Sequence, residues 1–377
     1  MAKKVILAVA GAGKTYHICH EIDPTKKNLI LAYTHENINN IQKELCEAHG
    51  FVPDLTTVMT FDAFVYHNLI LPYEPSIANH FSNPQFKSTG ICLADPPRLR
   101  IKNYNCALFN NPVYKTKDEL DHYITKKSQY YCATLSELAL QVKKGRDSLI
   151  KRAAARLNMF YDFILIDEFQ DFREYNYELI IKLSKCLENV LLVGDYHQHS
   201  VSAKNNTGKP FENRQEVVSY SDFVKNISNA GFEVDTTTLS KSRRCSIDIC
   251  DYVHRKLGID IASTGDHKGK VIWTDCSADD VLNNDKILKL VYNEAAKYSF
   301  PALSWSYSKG DTVDCACIIL TEKFEKLGEE KFSFEKISIS TLNKLYVAMT
   351  RSRGDLYLMK ASTFKKLQDA YVKNDNA

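Results

Sequence analysis

The strongest constraint on the fold is an apolar strand that leads directly into a small-residue turn and the pair Lys14 and Thr15. The segment reads VILAVAGAGKT, and it fits the pattern G-x-x-x-x-G-K-[ST] with Ala8 at the first glycine. Gly11 and Gly13 let successive backbone N–H groups turn toward an anion, and the following helix adds the positive end of its dipole. The segment therefore predicts a strand, a phosphate-binding turn and a helix that begin a parallel α/β sheet.

A nucleoside triphosphate with Mg²⁺ matches the chemistry of this turn. Lys14 is placed to reach the β- and γ-phosphates, and the Thr15 hydroxyl can bind Mg²⁺, a cation that keeps most of its waters. For this segment alone, a glycine turn that opens a helix without binding phosphate is the alternative. The predicted nucleotide-binding residues here are Ala10, Gly11, Ala12, Gly13, Lys14 and Thr15.

A second apolar strand ends in two acidic residues. Residues 163–171 read FILIDEFQD, and buried parallel strands present ligand-binding residues at their C-terminal ends. Asp167 is predicted to hold Mg²⁺ through water, and Glu168 to accept a proton from, or orient, the water that attacks the γ-phosphate. A solvated strand end is the alternative, but the combination with a phosphate-binding turn favours catalysis.

The acidic segment also begins a resemblance to the UvrD/Rep-like superfamily 1 DNA helicases, whose second motif is D-E-F/Y-Q-D. The other motifs follow in the order of that family and span nearly the whole chain. They are LAYTHEN at 31–37 (motif Ia), TFDAF at 60–64 (Ib), LVGDYHQ at 192–198 (III), LSKSRR at 239–244 (IV), SKGDTVD at 308–314 (V) and YVAMTRSR at 346–353 (VI).

This resemblance implies further roles at the nucleotide. Gln198 would sense the γ-phosphate, and Arg244 and Arg351 would act as arginine fingers from a second RecA-like domain, with surface salt bridges as the alternative for both arginines. Arg243 stands where the family has an aromatic residue that stacks on the base, and a guanidinium can also stack. Gly310 joins the nucleotide-binding set. The family's glutamine motif does not precede the turn, so ATP is expected with altered adenine recognition.

The resemblance also implies contacts with a nucleic acid strand. The family's aromatic cluster after motif III is replaced by SVSAK at 200–204. Tyrosines of the 65–154 segment, beside a basic stretch at 143–156 that is predicted to be helical, either replace that cluster or are ordinary core residues. The predicted nucleic-acid contacts are Thr34, His35, Asn37, Thr60, Phe61 and Ser308.

The expected fold is α/β, with two RecA-like P-loop NTPase domains built on parallel sheets and an inserted, mostly helical subdomain. We expect domain 1A at residues 1–64 and 155–231, a 1B-like insertion at 65–154, and domain 2A at 232–377. The 2B subdomain of the larger family members is expected to be missing. Strands are predicted at 28–33, 163–166, 190–193, 270–273, 316–320 and 355–359.

Composition restricts the setting. Of 377 residues, 49 are Lys or Arg and 46 are Asp or Glu, a mild basic excess that permits nucleic-acid binding without requiring it. The 11 cysteines include no C-x-x-C pair, which favours reduced thiols. No apolar run reaches the ~18 residues of a membrane span, so a cytoplasmic protein without a membrane partner is expected.

The leading hypothesis is an ATP-dependent, Mg²⁺-dependent translocase or helicase on single-stranded DNA, moving 3′ to 5′ by family analogy. One alternative is a nucleic-acid-sensing ATPase subunit with a nuclease or other protein partner, as in phage defence. The other is a viral-type superfamily 1 RNA helicase, suggested by the small size and the form of motif V at Lys309, Gly310 and Thr312. A small-molecule kinase would not require Gln198 and Arg351.

Overall fold

Two parallel β-sheets organise the computed structural model, which describes residues 3–102, 107–144, 147–199, 208–213, 216–274, 276–334 and 337–372. The first sheet contains β1 (Lys4–Leu7), β2 (Asn28–Ala32), β3 (Thr56–Thr60), β4 (Phe163–Ile166), β5 (Val190–Gly194) and β6 (Glu233–Asp235). Their spatial order is β6-β1-β5-β4-β2-β3, and every neighbouring pair is parallel.

The second sheet has five strands, which are β7 (Val271–Trp273), β8 (Leu288–Val291), β9 (Ala302–Ser304), β10 (Ala316–Ile319) and β11 (Leu356–Met359). Their order is β7-β11-β10-β8-β9, again parallel throughout. All six strands predicted from the sequence are confirmed, each with ends within one residue of the prediction. This is the α/β fold with parallel sheets expected of RecA-like P-loop domains.

The helices provide the crossovers that parallel strands require. In chain order they are α1 (Lys14–Glu21), α2 (His35–His49), α3 (Phe61–Phe64), α4 (Glu74–His80), α5 (Leu135–Gln141), α6 (Leu149–Phe160), α7 (Glu174–Cys186), α8 (Tyr220–Asn229), α9 (Ile247–Leu257), α10 (Ala278–Asn283), α11 (Ile339–Met349) and α12 (Ala361–Leu367). Within the described ranges, no helix combines the length and the apolar character needed to cross a membrane.

Local chemistry explains where the functional helices begin. Gly13 adopts a left-handed φ of 85° immediately before α1, a conformation that favours glycine. Thr34 caps α2, because its side-chain oxygen accepts the N–H of Asn37 at 3.2 Å, and that helix ends at Gly50 with φ of 81°. Both helices therefore start at the C-terminal ends of the strands that precede them.

The segment between α3 and α6 is less helical than expected. A π-helical turn (Val65–Ile70) and α4 open it, α5 and α6 close it, and irregular chain with short strand pairs lies between. The basic run predicted as helix from residue 143 begins instead as a hairpin that pairs Lys143 with Ser148. The apolar side chains of the segment between α3 and α6 share one core with the first sheet. Tyr130 and Leu138, for example, are buried in the same cluster as Val5.

The first sheet also extends further along the chain than expected. Strand β6 pairs with β1, with Lys4 opposite Glu233, although we expected the first domain to end at residue 231. The edge is reinforced by an ion pair of 2.7 Å between the Lys4 ammonium and Asp235. The chain enters the second domain only after this strand.

Candidate active site

The phosphate-binding turn lies at the C-terminal end of β1, as the sequence predicts. Gly11 and Gly13 have φ values of 71° and 85°, which residues with a Cβ rarely adopt. Gly11 also contacts the second domain, because a Cβ there would lie 2.6 Å from the Cβ of Arg244. The N–H of Arg243 donates to the carbonyl of Gly11 at 2.9 Å. The turn is therefore held between both domains.

Asp167 and Glu168 follow β4 and face this turn. The Thr15 hydroxyl donates to Asp167 Oδ2 at 2.7 Å, and the Lys14 ammonium lies 3.4 Å from Glu168 Oε1. Glu168 has a left-handed φ of 52°, a conformation that costs a non-glycine residue about 1–2 kcal/mol. The four residues predicted to bind and hydrolyse a nucleotide thus come together.

Lys309 enters the same site from the second domain, although sequence reasoning gave it no role in catalysis. Its ammonium lies 2.5 Å from Asp171 Oδ1 and 3.6 Å from Glu168 Oε2. Glu168 therefore lies between two lysines, Lys14 from the first domain and Lys309 from the second. In the sequence, the only indication of this role was the position of Lys309 directly before Gly310, in the segment that resembles motif V.

These contacts determine the charge of the site. Burial and the neighbouring Glu168 raise the pKa of Asp167. Burial also acts to raise the pKa of Glu168, but the ammonium groups of Lys14 and Lys309 outweigh it, and the pKa is lowered. Glu168 therefore stays ionised to lower pH than Asp167, and a proton acceptor must be ionised.

Tyr346 connects the two domains next to the phosphate-binding turn. Its hydroxyl accepts the backbone N–H of Ala10 at 2.9 Å and donates to Asp195 Oδ2 at 3.2 Å. Burial raises the pKa of Asp195 to about 6. The Asp195 N–H in turn donates to Gln170 Oε1 at 2.8 Å, and the Gln170 amide donates to Glu168. A single chain of contacts thus links motifs II, III and VI.

The two predicted arginine fingers line the cleft but are bonded within the second domain. Arg351 is 1% exposed, and its Nη1 donates to the carbonyls of Ser308 and Asp311, both at 3.4 Å. Burial and the neighbouring Arg244 lower the pKa of Arg351 to about 9. Arg244 Nη1 donates to the Thr350 carbonyl at 3.2 Å. Both arginines therefore line the cleft while their guanidinium groups donate to carbonyls of the second domain.

A cleft of about 510 Å³ joins these groups between the two domains. The Arg243 guanidinium lies 5.5 Å from the centre of the Tyr16 ring, and that ring stacks on His20 at 3.7 Å. This end of the cleft offers the flat surfaces on which a base can stack. Residues of both domains line the cleft, among them Gly13, Lys14, Thr15, Gln198, Gly310 and Arg351.

The residues predicted to contact nucleic acid divide into two groups. Thr34 and His35 are exposed, and Asn37 lines the nucleotide cleft. Phe61, however, is 1% exposed and packs on Phe172 at 4.9 Å.

Two further predicted contacts serve local structure. The Thr60 hydroxyl accepts the Ala63 N–H and caps α3. Ser308 is fully buried, and its hydroxyl donates to the Trp305 carbonyl at 2.8 Å. The burial of Phe61 and Ser308 disagrees with the expectation that both side chains contact a nucleic acid strand. Phe61 instead packs in the protein core, and the Ser308 hydroxyl is bonded inside the second domain. The segment at 200–204, where the aromatic cluster was expected to be lost, lies outside the described residues.

The fold and the site define a P-loop nucleoside triphosphatase whose cleft is built from two RecA-like domains. Comparison with protein families agrees. The model described as "AAA domain" matches residues 2–204, and the model described as "Viral superfamily 1 RNA helicase core domain" matches residues 114–360. Each covers more than half of the chain, so the chain belongs to the superfamily 1 helicases, with a core domain of the viral type.

Arterivirus helicases are among the solved structures that match the chain, and the comparison with curated proteins found no match. The PRRSV helicase has 13% sequence identity, with 98% of this chain and 55% of that chain covered and a TM-score of 0.44. Arterivirus nonstructural protein 10 (helicase) in complex with DNA has 11% identity, coverage of 95% and 61%, and a TM-score of 0.44. The same protein alone has 12% identity, coverage of 98% and 62%, and a TM-score of 0.44. The chain thus spans 55–62% of these helicases. The superfamily is confirmed, whereas the UvrD/Rep-like type stays a prediction.

Proposed function

We propose that this chain is the motor core of a helicase that hydrolyses nucleoside triphosphates and moves along single-stranded RNA. The observation that carries the proposal is the position of Glu168 between Lys14 of one domain and Lys309 of the other. A site made by both domains changes whenever the domains move relative to each other, which is how hydrolysis can drive translocation. The match to the viral RNA helicase core supports RNA as the track.

In this proposal each charged group has one task. Lys14 and the backbone N–H groups of Gly11 and Gly13 bind the phosphates, because the N–H groups of Ala10 and Ala12 already donate within the protein. Glu168 orients the attacking water and accepts its proton. Gln198 contacts the γ-phosphate. Arg244 and Arg351 neutralise charge on the transferring phosphoryl group once they turn from the carbonyls that they now contact.

The residues next to the phosphate-binding turn also fit Mg²⁺. The Thr15 hydroxyl and the Asp167 carboxylate are hard oxygen ligands already 2.7 Å apart, and Mg²⁺ commonly takes only one or two protein ligands beside waters and phosphate. When bound, the cation would neutralise charge on the β- and γ-phosphates. ATP is the expected nucleotide, with its base at the Tyr16 and Arg243 end of the cleft.

The test is steady-state turnover of ATP by the purified chain, alone and with single-stranded RNA, single-stranded DNA or duplex. Glu168→Gln is the blank, because it keeps the shape and removes the proton acceptor. Strong stimulation by RNA is expected, with no turnover in the blank. Turnover that survives in Glu168→Gln would refute the site assignment.

Single-stranded DNA is the second candidate track, and the motifs at 167–171 and 346–353 favour it because they resemble the UvrD/Rep type closely. Stronger stimulation by DNA than by RNA would select this candidate. Turnover that depends on Glu168 but ignores every nucleic acid would instead identify an ATPase switch that acts on a protein partner such as a nuclease.

A further inference from the structure

We propose that Tyr307 is a base-stacking platform for the single strand, located on the same turn that supplies Lys309 to the active site. The inference rests on the proposed function and adds a contact that the motif resemblance did not indicate. Three observations support the inference. The ring is exposed, the turn lies next to a contact between the two domains, and other residues of the turn contact candidate catalytic residues.

The Tyr307 ring is exposed although its neighbours are buried. Tyr307 is 83% exposed, whereas Trp305, two residues before it, and Ser308, directly after it, are 0% exposed. The turn is also firmly held, because the N–H groups of Tyr307 and Ser308 donate to the Ser304 carbonyl at 2.9 and 3.1 Å. The Trp305 indole donates to the Leu290 carbonyl at 3.0 Å. A large aromatic surface thus stands in water on an ordered support.

The turn that carries the ring lies close in sequence to a contact between the two domains. Tyr307 is two residues from Lys309, whose ammonium is 2.5 Å from Asp171 of the first domain, and consecutive Cα atoms are about 3.8 Å apart. Phe172 directly follows Asp171 in the first domain, and its ring packs against Tyr33 with ring centres 5.6 Å apart. Tyr33 is 37% exposed. Each partner of this interdomain ion pair therefore has an aromatic residue within two positions of it in the sequence.

This arrangement suits a single strand that crosses the junction. Sequence-independent binding combines stacking of bases on aromatic rings with positive charge for the backbone. A positive charge is available beside the turn, because the Lys344 ammonium lies 5.0 Å from the Tyr292 ring centre and Tyr292 packs on Trp305 at 5.3 Å. A platform on each domain lets one domain hold the strand while the other moves.

The same turn connects the platform to hydrolysis. The Ser308 carbonyl accepts a hydrogen bond from Arg351 Nη1 at 3.4 Å, and Lys309 contacts Glu168 and Asp171. A base that stacks on Tyr307 and shifts the turn therefore changes the positions of both Arg351 and Lys309. Stimulation of turnover by the strand is expected to depend on this ring.

The experiment uses a single-stranded RNA oligonucleotide that contains 2-aminopurine, whose fluorescence falls when it stacks. Binding and fluorescence are measured for the wild type, Tyr307→Ala, Tyr307→Phe and the control Phe51→Ala. Phe51 is 60% exposed. It precedes β3 and so lies toward the N-terminal end of that strand, away from the C-terminal strand ends that form the active site. We expect Tyr307→Ala to bind roughly tenfold more weakly, without the fluorescence loss. Tyr307→Phe and Phe51→Ala should behave as the wild type.

The outcomes separate the two proposals. Equal affinity and equal fluorescence loss in Tyr307→Ala would overturn the platform, while RNA-stimulated turnover in the wild type would leave the proposed function standing. A wild type that responds to DNA alone would refute RNA as the track, and the comparison with a 2-aminopurine DNA would decide the platform. A wild type that binds neither polymer would refute both.

Discussion

Replacing Lys309 with methionine is expected to move the acid limb of the turnover profile to higher pH. The Lys309 ammonium lies 3.6 Å from Glu168 Oε2, and at an effective dielectric constant of about 20 this attraction is worth about 5 kcal/mol. Because 1.36 kcal/mol corresponds to one pKa unit, the full attraction equals roughly 3 units. Water that enters the vacated space reduces this value, so we expect a shift of roughly 1–3 units.

The structure without nucleotide already shows that the pKa of Glu168 should rise when Lys309 is removed. A bound nucleotide strengthens this expectation. Lys14 and Lys309 together lower the pKa of Glu168 against the effect of burial. When Lys14 binds phosphate, its charge is shared with the nucleotide, and Lys309 becomes the main cation that keeps Glu168 ionised. In Lys309→Met the carboxylate therefore binds a proton at a pH where the wild type does not.

The assay is ATP turnover at saturating nucleotide from about pH 3 to pH 8, because a shift of roughly 1–3 units brings the pKa of Glu168 from about 2 to about 3–5; the fold is monitored by circular dichroism. Lys309→Arg keeps the charge and should retain the wild-type profile. Lys323→Met removes an exposed lysine of the same domain and should change nothing. An acid limb in Lys309→Met that coincides with the wild type would refute the reasoning. Loss of folding would instead show that the ion pair with Asp171 dominates, since removing one partner of a buried pair costs about 3–5 kcal/mol.

Three further predictions concern the junction. Tyr346→Phe leaves the Ala10 N–H and Asp195 without their shared hydroxyl, so urea titration should show about 1–3 kcal/mol lower stability; an unchanged midpoint would contradict this. Burial lowers the pKa of His199 to about 3, so the unfolded chain takes up the proton first and stability falls as pH drops from 6.5 toward 3. His199→Gln should therefore flatten the dependence of melting temperature on pH. An equally steep dependence in this variant would contradict the assignment to His199. Arg351→Ala should reduce turnover about 10³-fold with little change in nucleotide affinity, and full turnover would exclude the finger role.

Local chemistry made the nucleotide-binding half of the site readable from the sequence. Gly11 and Gly13 are required by left-handed φ values, and Lys14 and Thr15 begin the helix that follows. Asp167 emerges at the end of a continuous apolar run, which is typical of a buried parallel strand. Each of these signals spans only a few consecutive residues, so neither the order of the strands nor the second domain was needed to find them.

Other expectations depended on what surrounds each side chain. Phe61 lies in a motif that resembles a strand-contacting segment, yet its ring is packed against Phe172, because the helix that starts there turns the ring into the core. The basic stretch that starts at Lys143 was predicted to be helical. Lys143 instead pairs with Ser148 in a hairpin, and the helix begins only at Leu149. Patterns of residue type do not reveal which face of an irregular segment packs inward.

The P-loop class of the fold, with two parallel α/β sheets, could be read from the order of residues, because turns and strands obey local backbone rules. The closure of the active site could not, because it depends on contacts between distant parts of the chain. Lys309 reaches Glu168 across 141 positions of the chain, and Tyr346 reaches Ala10 across 336. Contacts over such separations depend on how the two sheets pack together, and the exposed ring of Tyr307 acquires its meaning from the same packing.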